Sequence, residues 1–183
     1  MRIDGQPAAV YYISPTQLNV QSPDDGATGP VQVQIANQQS TATATANLQN
    51  YAPAFFTFGT KYVAAVHSDG TLVGPAGLFG ASVASRPASP GEVVLLFGTG
   101  FGPTNPTTGT GVVFSGAAPL ANPTLLQLRI GGQPASVKFA GLTGAGLYQF
   151  NVVIPQLPDG DSAVVATISN VASPSNLFIA THQ

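Results

Sequence analysis

The sequence predicts an all-β protein, and three observations carry that prediction. Apolar and polar residues alternate at period two along nearly the whole chain; Val31, Val33 and Ile35 share one face against Gln32 and Gln34. Turn signals interrupt the alternation at short intervals: Asp24-Asp25-Gly26, Ser68-Asp69-Gly70, Gly131-Gly132 and Pro158-Asp159-Gly160. No stretch of ten residues carries an amphipathic helical pattern.

Taken in order, the elements follow from these rules. The Ala-rich stretch 41–46 alternates Thr with Ala, which favours a strand over a helix. Residues 92–97, Glu-Val-Val-Leu-Leu-Phe, read as a strand buried on both faces. A Gly/Pro loop follows, then a strand near 124–128. Ala135, Val137 and Phe139 mark one strand face, and Val164, Ala166 and Ile168 another.

Composition narrows the class of function. Of 183 residues only 7% are charged, against roughly 25% in an ordinary soluble domain. Five Lys+Arg at a net charge of -2 cannot form the basic footprint of a nucleic-acid binder or a polybasic membrane patch. No apolar run approaches the roughly 20 residues that span a bilayer as a helix. The chain has no cysteine, so disulfides, thiolate zinc sites and thiol catalysis are excluded. Residues 1–4 hold no apolar signal core, so an exported form is expected to be a mature chain or a piece of something longer.

Internal repetition is the strongest signal. Arg2-Ile3-Asp4-Gly5-Gln6-Pro7-Ala8-Ala9-Val10 matches Arg129-Ile130-Gly131-Gly132-Gln133-Pro134-Ala135-Ser136-Val137 at all but two positions. Gln17-Leu18-Asn19-Val20-Gln21-Ser22-Pro23 then matches Gln149-Phe150-Asn151-Val152-Val153-Ile154-Pro155. The expectation is two tandem immunoglobulin-like β-sandwich domains, 1–54 and 55–183. A sandwich of this kind uses about seven strands, and the first copy supplies four or five. It lacks the leading strands that precede the second copy, and an open sandwich exposes edges that invite pairing with another chain.

Several landmarks resemble a known family. They are residues 9–23 (Ala-Val-Tyr-Tyr-Ile-Ser-Pro-Thr-Gln-Leu-Asn-Val-Gln-Ser-Pro), Tyr51-Ala52-Pro53-Ala54-Phe55-Phe56, Phe97-Gly98-Thr99-Gly100-Phe101-Gly102-Pro103 and residues 146–155. Together they resemble the Solibacter-type C-terminal domain of large acidobacterial exported surface proteins, which is similar to IPT/TIG immunoglobulin-like modules. The resemblance spans the chain in family order and departs at the N-terminus, where family members continue upstream. It implies a β-sandwich outside the cell and implies no activity.

Candidate sites are few. Gly98-Thr99-Gly100-Phe101-Gly102 follows a strand, but a dinucleotide loop must open a helix, and Pro103-Thr104-Asn105-Pro106 follows instead. His67 reads as an exposed turn residue beside Ser68-Asp69-Gly70, and His182 lies near the C-terminal end. The pairs Asp24/Asp25 and Asp159/Asp161 are turn carboxylates with a minor calcium reading. Lys61 and Lys138 are the lysines available to an isopeptide cross-link, although nothing in the spacing selects a partner. Tyr11, Tyr12, Tyr51, Phe55, Phe56 and Phe58 read as interdomain packing or as a carbohydrate platform.

The most specific pattern is amide-rich. Gln17 and Asn19 fall on one strand face, as do Gln149 and Asn151, opposite Leu18/Val20 and Phe150/Val152. That face is a candidate interaction surface, and Arg2, Ile3, Val10 and Tyr12 are candidates for interchain strand pairing. The expected function is a non-catalytic extracellular structural or adhesive module that pairs with itself, with filaments as one outcome. The alternative is a glycan-binding accessory module. No cofactor or metal is expected, nor nucleic-acid or membrane partners. Seven acidic and five basic side chains with two histidines leave little for proton-transfer catalysis.

Overall fold

The computed structural model describes residues 1–24 and 26–183. Among them the regular structure is β throughout, apart from one 3-10 turn at Pro123–Leu125. Two large sheets enclose the core. The first runs in the order Ser85–Arg86, Leu72–Val73, Ala65–His67, Val93–Thr99, Leu147–Val153, Ser136–Gly144 and Ala118–Pro119, with Ala54–Phe55 also on Val93–Thr99. The second runs Gln133–Pro134, Leu126–Ile130, Gly160–Ile168, Phe178–Thr181, Tyr62–Val63 and Thr57–Phe58. Leu96, Phe150 and Val152 from the first sheet meet Ile130, Val164 and Ile168 from the second in one continuous apolar core. The result is sandwich-like.

Residues 2–48 form two further sheets. Gln6–Pro7, Arg2–Ile3, Gly29–Ala36 and Thr41–Leu48 make a four-stranded sheet, and Ala9–Ile13 pairs with Leu18–Gln21 as a separate hairpin. Here burial is sparse: Ile3 and Val31 are the buried residues described within 2–48, and neither belongs to the core cluster.

The sequence repeat persists down to individual hydrogen bonds. Arg2 faces Pro7 and Ile3 faces Gln6, as Arg129 faces Pro134 and Ile130 faces Gln133. Each arginine closes its own turn, Arg2 Nη1 donating to the Gly5 carbonyl at 2.7 Å and Arg129 Nη1 to that of Gly132 at 2.9 Å. Asp4 and Gly131 occupy positive φ (50° and 57°), and their N–H groups donate to Gln32 and Ala163 at 2.9 and 2.8 Å. The hairpins share a register with a bulge at the same place: Val10↔Val20 then Tyr12↔Asn19 in one, Val137↔Val152 then Phe139↔Asn151 in the other.

Three expectations change. Strand 92–97 becomes Val93–Thr99, and it alternates: Val94 and Leu96 are fully buried while Val93 is exposed. The reason is that its neighbours Ala65–His67 and Leu147–Val153 are antiparallel and only one face of the sheet meets the core. The strand near 124–128 starts later, as Leu126–Ile130, because Pro123 opens the 3-10 turn. Ala54, expected in the first unit, pairs with Thr99 in the first of the two large sheets.

Candidate interaction site

The amide pairs form the same local bond twice. Gln17 Nε2 donates to Asn19 Oδ1, and Gln149 Nε2 donates to Asn151 Oδ1, each at 2.7 Å. Strand alternation dictates this, because residues two apart share a face and a Gln reaches the Asn beside it. Each bond occupies one donor and one acceptor. Gln17 and Asn19 are exposed, whereas Gln149 and Asn151 are half-buried beneath adjoining strands.

The proposed pairing residues divide into two groups. Arg2 and Ile3 have neighbours on both sides within the chain, Pro7 and Gln6 on one and Gln34 and Val33 on the other. Their ladder is therefore taken up internally, which corrects the expectation that they await another chain. Val10 and Tyr12 lie on the hairpin, whose strands pair only with each other among the described residues. Val10 is 45% and Tyr12 50% exposed.

Two open edges emerge that the alternation pattern did not single out. Thr41–Leu48 closes one side of the four-stranded sheet, and its residues are exposed on both faces apart from the half-buried Leu48. The outer side of Leu18–Gln21 borders a cleft of about 1100 Å³, whose far wall includes Tyr51, Phe56, Gly100 and Tyr148. Tyr11 also lines this cleft, with its hydroxyl donating to Gln21 Oε1 at 3.0 Å. The hairpin is held to the rest of the molecule where Gly111 N–H donates to Gln21 Oε1 (3.1 Å) and Thr110 Oγ1 donates to the Ser22 carbonyl (3.2 Å).

The titratable candidates serve the scaffold. His67 is buried, contrary to the exposed turn position expected for it. The Ala65–His67 strand alternates inward at its first and last residues, so the side chain enters the interior before the turn begins. Its Nδ1 meets a Glu92 carboxylate oxygen and its Nε2 the Arg86 carbonyl at 3.1 Å, while Arg86 Nη1 donates to Glu92 at 3.0 Å. Asp69 holds the Thr71 N–H at 2.8 Å, and that bond keeps its carboxyl below the usual range.

Lys61 is ion-paired with Asp161, which also accepts from the Tyr62 hydroxyl at 3.0 Å. The Lys61 contact leads in lowering the Asp161 pKa. Asp159 accepts from the Gln183 N–H at 2.8 Å and contacts His182 at 2.9 Å; the Gln183 bond leads in lowering its pKa. Asp24 N–H donates to Thr110 Oγ1 at 3.1 Å, and Asp25 lies outside the described residues. No group of three His, Asp or Glu that could hold a metal occurs among the described residues. Lys138 is exposed at the hairpin bulge, the position Tyr11 takes in the first copy.

The Gly-Thr-Gly-Phe-Gly run is a close backbone crossing. Gly100 sits at φ +76°, and a Cβ there would lie 2.0 Å from the Ala52 carbonyl oxygen. At Gly102 a Cβ would strike the Tyr51 ring at 2.3 Å. Phe101 fills the core between Phe55 and Phe150, centroids at 5.6 and 4.4 Å. Of the other aromatics, Phe58 packs edge-on against Phe79 at 4.8 Å, while Tyr11, Tyr12 and Phe56 remain exposed. Comparisons with family models, with curated proteins and with solved structures return no match to this chain.

Proposed function

We propose that the chain is a non-catalytic structural module of the cell exterior, built as two immunoglobulin-like units, that associates with further copies through the open first unit. One observation carries this reading. Equivalent inward positions are open in the first copy and closed in the second: Ile13 is 74% exposed where Ala140 is 7%, and Ile35 is 42% exposed where Ala166 is 0%. Exposed apolar positions beside unpaired strand edges are a template for association. Sparse charge supports it, because few repulsive or desolvation penalties oppose contact between copies. The resemblance to Solibacter-type surface domains supports the location outside the cell.

Thr41–Leu48 is the edge that best suits copy-to-copy pairing, being eight residues long and free of charge. Light scattering across concentration, with negative-stain microscopy of the same sample, tests the reading. A defined oligomer or filament is expected, and Thr43→Lys/Thr45→Lys should return it to monomer with the far-UV spectrum unchanged. A wild-type monomer at high concentration overturns the reading. The exposed Tyr11 beside the Gln17/Asn19 amides then favours a glycan in the cleft.

A further inference from the structure

The second copy shows what its hairpin needs in order to be closed. Leu147–Val153 is flanked on its outer side by Val93–Thr99, antiparallel, with Val94 opposite Val152, Leu95 opposite Asn151 and Leu96 opposite Phe150. Carried across the repeat, those three positions become Val20, Asn19 and Leu18. We infer that the outer edge of Leu18–Gln21 is a docking site for an extended, uncharged β-strand of another polypeptide. That strand runs antiparallel to Leu18–Gln21 and presents apolar side chains at alternate positions.

Backbone geometry agrees. Ser14 N–H donates to the Gln17 carbonyl at 2.9 Å, which fixes the alternation of bonds along the hairpin. The Leu18 and Val20 N–H groups therefore point away from Ala9–Ile13 and toward the cleft. In the second copy the corresponding strand continues to Ile154, whose N–H donates to the Glu92 carbonyl at 3.0 Å, outward in the same sense. The side chains of Leu18 and Val20 are half-buried, whereas Phe150 and Val152, closed by their strand, are fully buried. The cleft of about 1100 Å³ leaves this edge accessible.

Residues 93–99 of a second copy do not supply the strand. Among the described residues each chain carries two such hairpins and one such covering strand, so lending it would open Leu147–Val153 for every Leu18–Gln21 it closed. Thr41–Leu48 of a second copy is a poor substitute, because it offers Thr and Ala where the covering strand offers Val94 and Leu96. The inference shares with the assembly reading the premise that the first copy is open, and it is tested separately.

The probe is a synthetic peptide of sequence 93–99 with terminal lysines for solubility, added to the full chain. Amide hydrogen exchange is followed residue by residue. We expect exchange at Leu18 and Val20 to slow at least tenfold with the peptide and to be unchanged by its scrambled form. Val20→Pro removes an outward N–H that the hairpin does not use, and it should abolish protection while far-UV dichroism shows the β-structure retained. Val20→Ile should keep protection, so a loss in both variants would mark a packing defect rather than a missing ladder bond and would count against the proposal. No protection of wild-type Leu18 and Val20 at saturating peptide overturns it. Protection by a 41–48 peptide and not by 93–99 overturns it in favour of a second copy. Light scattering keeps the two readings distinct: a monomer that protects these amides refutes copy-to-copy assembly alone, and an oligomer that does not refutes this proposal alone.

Discussion

The glycines of residues 98–102 show how a single side chain can be excluded by its neighbours. Gly100→Ala would press a methyl group into the Ala52 carbonyl and force positive φ on an alanine. Because Ala52 N–H also donates to the Gly100 carbonyl at 2.9 Å, the two backbones cannot separate without losing that bond. The cost is expected to be on the order of 3 kcal/mol from strain and overpacking combined, read as a lowered melting temperature. His67 provides a second case. Its ring is 1% exposed and satisfies both Glu92 and the Arg86 carbonyl. His67→Ala should cost about 2–4 kcal/mol, from a cavity and from polar partners left unsatisfied, and urea unfolding would measure it. His67 was misjudged from sequence, because a His beside a turn looks like a surface feature until the elements packed over it are known.

Elements were more legible than their edges. Period-two alternation located nearly every long strand, because side chains on a pleated sheet must divide between core and solvent. The repeat of Arg2–Val10 in Arg129–Val137 carried its turn, its register and its bulge into the structure without change. Which residues lie at an open edge was not legible, because alternation describes faces and says nothing of lateral neighbours. Arg2 and Ile3 were assigned to interchain pairing on that blind spot, although Gly29–Ala36 and Gln6–Pro7 enclose them. The Thr-Ala alternation of Thr41–Leu48 now has a physical reading: a strand with neither face in a core needs no large apolar residue. Thr43→Lys/Thr45→Lys is therefore expected to change melting by less than the equivalent of about 0.5 kcal/mol while suppressing association. A drop in stability comparable to a core substitution would show that this strand is packed in the isolated chain.

At the scale of the whole molecule, the two copies differ in what holds them. The core cluster begins at Phe55 and runs to Ile179, so residues 2–48 lie outside it and are held by ladder bonds and by contacts that include those of Gln21, Ser22 and Asp24 with residues 110 and 111. Two unfolding steps are expected in place of one, the first confined to the N-terminal copy. Protonation separates them further, because every group with a displaced pKa among the described residues lies between residues 61 and 161. Asp69, Asp159 and Asp161 are held below the ordinary 3.8 by their hydrogen-bond partners. The stability they contribute is complete above that value and is lost as pH falls through the lowered folded values. At the other end, burial pushes the Tyr148 hydroxyl, which donates to the Gly102 carbonyl, from 10.0 up to about 12. Its contribution is fully present below pH 10 and lost as pH rises toward 12, because the unfolded tyrosine ionises first. Urea titrations monitored by hydrogen exchange across this range should show the second transition weakening at both extremes. Tyr148→Phe should flatten its alkaline side at a cost of about 1 kcal/mol at neutral pH for the lost hydrogen bond. If a single transition covers both copies at every pH, the first copy is stabilised by the second far more than their few contacts imply. The open edges would then belong to a rigid platform rather than to a half-formed sandwich.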